Sequence, residues 1–292
     1  MTRVAAGGRP VARARWRGLR GERIPMVFLA AIVALAAIAP WITPYDPLAQ
    51  DLANALALPS LAHPFGTDDL GRDIMSRLML GTRVSVEVGF GSALLALLVG
   101  TSLGLWAGYR TGIISATIMR GSDVLLAFPA VLLAMVVAVV LHAGSGGVML
   151  AIAVISVPTF IRLAYAVMLA QRHQQYVEAA EAFGASSRYI IFRAVLPNAL
   201  GPLAVQTAFT VANAVLLEAG LSFLGLGVQP PTPSLGLMLQ EARAYIRSDA
   251  WFGICPGVAI VLMVLALNTV ADGIARRVDP RGATRRLLQT AP

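Results

Sequence analysis

Lysine is absent from this chain of 292 residues; all 23 basic residues are arginine. A phosphate loop of the form G-x4-G-K-[ST] needs lysine, so this chain cannot carry one. Cysteine is nearly absent. Cys255 stands alone in an apolar run, which excludes an internal disulfide and a cysteine-based metal site and marks a core residue. The three histidines, His63, His142 and His173, are far apart, and no His-Glu-x-x-His pattern exists. No serine or cysteine lies in a nucleophile-elbow sequence, and Gly144-Ser145-Gly146 reads as a glycine-rich external turn. No enzyme active site is legible. ATP hydrolysis, if used, belongs to another polypeptide.

Charge is also scarce. Only 13% of residues are charged and 57% are hydrophobic, with a mean hydropathy of +0.73. A soluble chain of this length could not hide that much apolar surface, so the membrane is the expected solvent. The net charge of +8 invites a nucleic-acid reading. Arginine placement argues for membrane topology instead.

Six apolar segments follow along the chain, at 26–42, 84–107, 124–142, 148–170, 198–221 and 252–271. The first resembles a signal peptide in its basic flank, but Ala39-Pro40-Trp41-Ile42 offers no convincing cleavage site. With the N-terminus in the cytoplasm, cytoplasmic pieces hold 17 arginines and external pieces five. The expectation is one membrane domain over 26–275. A disordered basic tail over 1–25 and a tail over 276–292 flank it, both cytoplasmic.

Charges within or near spans need partners, because an ion in hydrocarbon costs about 2.5–3.5 kcal/mol or more. Glu218 lies near the outer end of the fifth span, Glu87 near the outer start of the second, and Arg162 in the fourth. Glu218 is either part of a gate or pathway lining, or a structural carboxylate bonded to backbone or arginine. Asp123, three residues after Arg120, reads as a local ion pair. Gly100, Gly104 and Gly108 form one smooth helix face, for packing within the chain or between subunits. Pro129, Pro158, Pro202 and Pro256 predict kinks inside spans.

The first external segment includes His63-Pro64-Phe65-Gly66-Thr67-Asp68-Asp69-Leu70-Gly71-Arg72-Asp73. Thr67 suits an N-cap, and Asp68 and Asp69 suit a first turn. Leu70, Ile74 and Leu78 then predict an amphipathic helix lying flat on the outer interface and ending near Gly81. Thr67, Asp68, Asp69, Arg72 and Asp73 are its candidate outer-interface residues, facing a binding protein or serving as a plain anchor.

A polar interlude separates the fourth and fifth spans. It runs from Tyr176 through Val177-Glu178-Ala179-Ala180-Glu181-Ala182-Phe183-Gly184 to Val195-Leu196-Pro197. Alanine, glutamate and glutamine favour helix, Gly184 breaks it, and Pro197 suits the first turn of the next. The pattern predicts a short helix, a turn and a second short helix at the membrane surface. Val177, Ala180 and Phe183 fall on one side, which can seat in a partner's groove.

That interlude resembles the E-A-A-x3-G-x9-I-x-L-P loop of permease subunits in binding-protein-dependent ABC importers. Glu178, Ala179, Ala180, Gly184, Leu196 and Pro197 match it, and Ala194 replaces its isoleucine. The His63–Asp73 run with Arg77 and Arg83 is similar to the C-type permease of oligopeptide and dipeptide importers. So are Leu216–Ser234 and the ending Asp272-Gly273 with Val278-Asp279-Pro280-Arg281. The likeness covers roughly residues 20–281.

The resemblance implies an all-α polytopic membrane protein with six transmembrane helices, a type I importer permease fold and a cytoplasmic coupling helix within 173–195. It implies a bacterial plasma-membrane heterodimer with a second permease, two ATPase subunits inside and a solute-binding protein outside. ATP and Mg would sit on the ATPases. No cofactor or metal in this chain and no nucleic-acid partner are expected; lipid is. Val177, Glu178, Ala179, Ala180, Phe183, Gly184, Leu196 and Pro197 would couple to the ATPases. Oligopeptides or dipeptides are the implied cargo, and members of this subfamily also move nickel chelates, glutathione and short glycans. A secondary transporter would need midplane ion sites and usually internal repeats; the charges lie off-centre and no repeat is visible. A non-transporting scaffold would need the docking helix but not the kinked spans.

Overall fold

The computed structural model describes residues 12–110, 112–141 and 144–278. The expected terminal pieces 1–11 and 279–292 lie outside the described residues, as does His142 at the expected end of the third span. Among the described residues every extended element is helical. One isolated antiparallel bridge among these residues joins Thr67 to Asp73.

Three helices, α2 (Ile74–Tyr109), α5 (Ser145–Gln171) and α10 (Ala250–Val278), are long and apolar enough to cross a membrane. A fourth crossing is the continuous run Ser187–Phe223. It comprises α7 (Ser187–Tyr189), a π-helical stretch Ile190–Val195 and α8 (Leu196–Phe223). The expected third span is broken. α3 (Ile113–Ala127) and α4 (Ala130–Val140) meet at 99°. The break falls at Phe128, which is extended before Pro129, as steric conflict with a proline ring demands.

The expected first span, Met26–Ile42, is the shorter apolar end of α1 (Ala12–Ile42). The helix continues back to Ala12, so residues 12–25 are helical rather than the disordered tail expected from their charge. Two short helices complete the set: α6 (Gln175–Ala182) and α9 (Leu235–Ala242).

Small residues set the packing. Lipid tails match buried leucines in polarity, so close approach and dispersion must hold the bundle together. A Cβ on Gly100 would fall 2.5 Å from Phe160 Cβ, and one on Gly108 would fall 2.6 Å from Met168 Cβ. One on Gly104 would meet the Ile161 carbonyl oxygen. The glycine face therefore packs against α5 of the same chain. α8 seals the other side of α2, with Val211 and Val215 against Ala93 and with Met263 of α10 in the same cluster.

Residues 63–83 differ from the sequence reading. No flat helix begins at Thr67, and α2 starts only at Ile74, capped by Asp73, whose carboxylate accepts from the Ser76 N–H at 2.8 Å. α2 does not end near Gly81. A Cβ there would sit 3.2 Å from the Leu235 nitrogen, so this glycine marks close approach to the start of α9. The Leu70, Ile74, Leu78 spacing spans a loop and the first turn of a transmembrane helix.

Candidate functional site

α6 is the polar helix between the two spans. Glu178 lies in its first turn, where a carboxylate complements the helix dipole. Gly184 ends it at φ +78°. The Ala185 N–H donates to the Ala180 carbonyl at 3.0 Å and the Gly184 N–H to the Glu181 carbonyl at 2.9 Å. That pair of bonds is the Schellman motif, which needs a left-handed residue and so favours glycine.

The two faces of α6 differ. Val177 is fully buried, packed with Leu105, Met168, Ile190 and Val195, and Ala180 lies half-buried against the same cluster. The expected apolar side therefore splits. Val177 and Ala180 face their own chain and are unavailable to a partner's groove. Phe183 projects outward, 90% exposed, beside exposed Glu178, Ala179 and Glu181. Gly184 and Pro197 are exposed, and half-buried Leu196 packs against the Val177 cluster.

The expected second short helix is not separate. Ser186 caps α7, accepting from the Tyr189 N–H at 3.3 Å, and the chain then runs without a break into α8. Two residues missed in the sequence bind these parts together. Tyr176 Oη donates to Gln171 Oε1 at the end of α5, and Asn198 Nδ2 in the first turn of α8 donates to Tyr176 Oη. Asn198, an amide at the head of an apolar span, was the one available signal.

The outer-interface candidates are mostly inside. Thr67, Asp68, Arg72 and Asp73 are buried, and only Asp69 keeps appreciable side-chain exposure. The Thr67 hydroxyl donates to the Asn54 carbonyl and accepts from the Ala57 N–H. Asp68 accepts from Arg72 Nε at 2.6 Å and lies 3.1 Å from Arg77 Nη1. Glu241 of α9 joins both arginines, at 2.7 Å from Arg77 and 3.3 Å from Arg72. Their charges meet one another in this internal network rather than at a free surface. Glu241 was missed because its partners lie more than 160 residues away.

Glu218 is fully buried, held by Ser85 of α2 at 2.8 Å and Ser222 at 2.9 Å. Its hydrogen-bond partners are serines rather than backbone or arginine. Glu87 pairs with Arg83 one turn away. Asp123 pairs with Arg162 of α5 at 2.7 Å, not with neighbouring Arg120.

With that geometry in place, comparison with known proteins decides the family. Residues 100–283 match the family described as binding-protein-dependent transport system inner membrane component. The chain belongs to that family. Residues 16–64 match the N-terminal transmembrane domain of oligopeptide transport permease C. This permease is 41% identical over 269 residues to the dipeptide transport system permease protein DppC of Haemophilus influenzae, covering 90% of this chain and 91% of that protein. It is 40% identical over 262 residues to the di/tripeptide permease of Pseudomonas aeruginosa, covering 88% and 86%. The glutathione transport system permease GsiD of Escherichia coli is 40% identical over 270 residues, covering 91% and 89%. A chain of the inward-facing MetNI methionine ABC transporter superposes with a TM-score of 0.58 at 20% identity, covering 70% of this chain and 98% of that one. That last likeness concerns the fold, the type I importer permease fold.

Proposed function

We propose that this permease forms half of the translocation pathway of an ATP-driven peptide importer and receives the ATPase stroke through α6. One observation carries the proposal. The exposed Glu178, Ala179, Glu181 and Phe183 face sits on a helix whose opposite side is locked to α2, α5 and the head of α8. Phe183 is a large apolar knob for a groove, and the flanking carboxylates suit arginines or helix N-termini at its rim. A push on α6 moves the head of α8, because Val177 and Tyr176 leave little slack between them. Closure of two ATPase subunits would thereby switch the pathway between its two faces.

ATP and Mg belong to those ATPases. A homologous second permease completes the pathway, and an external solute-binding protein delivers cargo. The arginine bias puts both termini and residues 171–195 in the cytoplasm. Cysteines placed at exposed Gln175 and Thr232 in a Cys255→Ser background test this: Gln175 should label only from inside and Thr232 only from outside.

Oligopeptides or dipeptides are the proposed cargo, on the strength of the dipeptide and di/tripeptide relatives. Glutathione is the second reading, because a glutathione permease matches at equal identity. Uptake of labelled di- to hexapeptides and of glutathione, in a deletion strain with and without this gene, decides between them. Glu178→Arg and Phe183→Ala should reach the membrane in normal amount yet lose ATPase subunits on purification. Normal uptake and full ATPase stoichiometry in both variants would remove α6 from the mechanism.

A further inference from the structure

The last turn of α2, the first turns of α3 and the last turns of α5 line an open cavity of about 350 Å³. Arg110 and Arg172 both line it, together with Tyr165 and Ser115, and no carboxylate does. Its volume lies within the range of small-ligand pockets, about 300–1,000 Å³.

The charge in this cavity is unbalanced. Arg72, Arg77, Arg83 and Arg162 each meet a carboxylate. Arg110 and Arg172 make no ion pair among the described residues; Arg110 instead lies over the Trp106 ring, 5.3 Å from its centroid. The Tyr165 and Ser115 hydroxyls make no hydrogen bond among the described residues, leaving two more donors for a ligand. α3 begins here with no capping side chain and no acidic residue in its first turn, which adds to the positive potential. Two guanidiniums lining one cavity, with no carboxylate beside them, suit an anion.

The surroundings select the anion. The cavity sits where α2 and α5 end, at a boundary of the membrane. Apolar side chains lie beside it: lining Leu169 is 40% exposed, and Ile113, which follows lining Gly112 in the chain, is 85% exposed. Trp106 and Tyr165 are the amphipathic aromatics favoured at that depth. A cationic pocket beside exposed aliphatic side chains has the polarity of a phospholipid, with phosphate inside and acyl chains along Ile113 and Leu169. Basic pockets between transmembrane helices hold lipid headgroups in this way.

We propose that Arg110 and Arg172 bind the phosphodiester of an anionic phospholipid. Arg172 ends α5 two residues before Gln174, which precedes α6, so the bound lipid braces the base of that helix. The assignment needs no cargo or orientation, only a membrane boundary, so it stands independently of the importer reading.

The test uses the full chain, purified with its complex and reconstituted in nanodiscs of phosphatidylcholine with graded phosphatidylglycerol. Native mass spectrometry after mild delipidation counts retained lipid. The wild type should retain phosphatidylglycerol over phosphatidylcholine. Arg110→Gln and Arg172→Gln should each weaken retention roughly fivefold, and the pair about 25-fold. The double Arg→Lys variant keeps the charge and should keep the lipid, which separates binding from misfolding. Equal retention by the double Gln variant overturns the proposal. So does tight binding of inorganic phosphate in pure phosphatidylcholine discs, which would make this a soluble-anion site. Loss of ATPase subunits with lipid retained would make it a protein contact, and the lipid assignment falls.

Discussion

Asn198 Nδ2 donates to Tyr176 Oη at 3.1 Å, and that hydroxyl donates onward to Gln171 Oε1 at 2.7 Å. Three helices, α8, α6 and α5, thus share one phenol. The bond spans 22 residues and ties the proposed coupling helix directly to the span it is meant to move.

Tyr176→Phe deletes that link and leaves the ring in place. Asn198 keeps a second bond, to the Ala194 carbonyl at 3.2 Å, so no orphan donor results. Stability should fall by only about 0.5–1.5 kcal/mol. The expected outcome is normal assembly with less uptake per ATP hydrolysed, measured in proteoliposomes. An unchanged ratio would mean that Val177 packing alone carries the stroke.

Gly184 separates backbone strain from crowding. Nothing lies within 4 Å of where its Cβ would stand, but its φ is +78°. Asparagine tolerates that region and valine does not. Gly184→Asn should therefore retain ATPase recruitment, whereas Gly184→Val should lose it, with strain of roughly 1–2 kcal/mol. Co-purified ATPase per permease is the readout. Equal loss in both variants would point to a need for a bare surface.

Glu241 serves two buried arginines. Glu241→Ala leaves Arg77 with Asp68 alone, and Arg72 with Asp68 and, at 3.7 Å, Asp69. Breaking a buried pair from one side costs about 3–5 kcal/mol. The melting temperature of the purified complex should drop by several degrees, and the segment near Leu56 and Gly66 should become protease-sensitive. Wild-type melting would show that the network is neutral.

Glu218 makes the opposite contrast. Glu218→Gln keeps a hydrogen-bonding side chain for Ser85 and Ser222. Uptake should stay within about fivefold of wild type, since hydrogen bonds to charged and to neutral partners differ by about 1 kcal/mol. Glu218→Leu removes the acceptor of both hydroxyls, although Ser222 Oγ still accepts from the Val228 N–H, and should destabilise the fold by about 1–3 kcal/mol. Complete transport loss in Glu218→Gln with normal assembly would give this carboxylate a role beyond structure.

Much of the fold was legible because lipid imposes a length and a composition on each span. The apolar runs at 84–107, 148–170, 198–221 and 252–271 fall within helices α2, α5, α8 and α10. The α6 helix and its end at Gly184 were legible too, since a glycine after an alanine-glutamate run is a local signal. Helix continuity was not. Residues 74–83 are polar enough to read as interfacial, yet they continue α2, because backbone hydrogen bonding does not stop where the apolar stripe does.

The sequence by itself determined membrane residence, helical class and the family motif, each of which rests on composition or short-range spacing. Tertiary structure alone decided which face of α6 is free, since Val177 and Phe183 are both apolar and only packing separates them. It decided that Asp68 and Arg72 turn inward, because Glu241 reaches them only after α9 folds back onto α2. It also decided that Asp123 meets Arg162 rather than Arg120. Pairing between distant charges depends on where the helices cross, and local spacing carries no record of that.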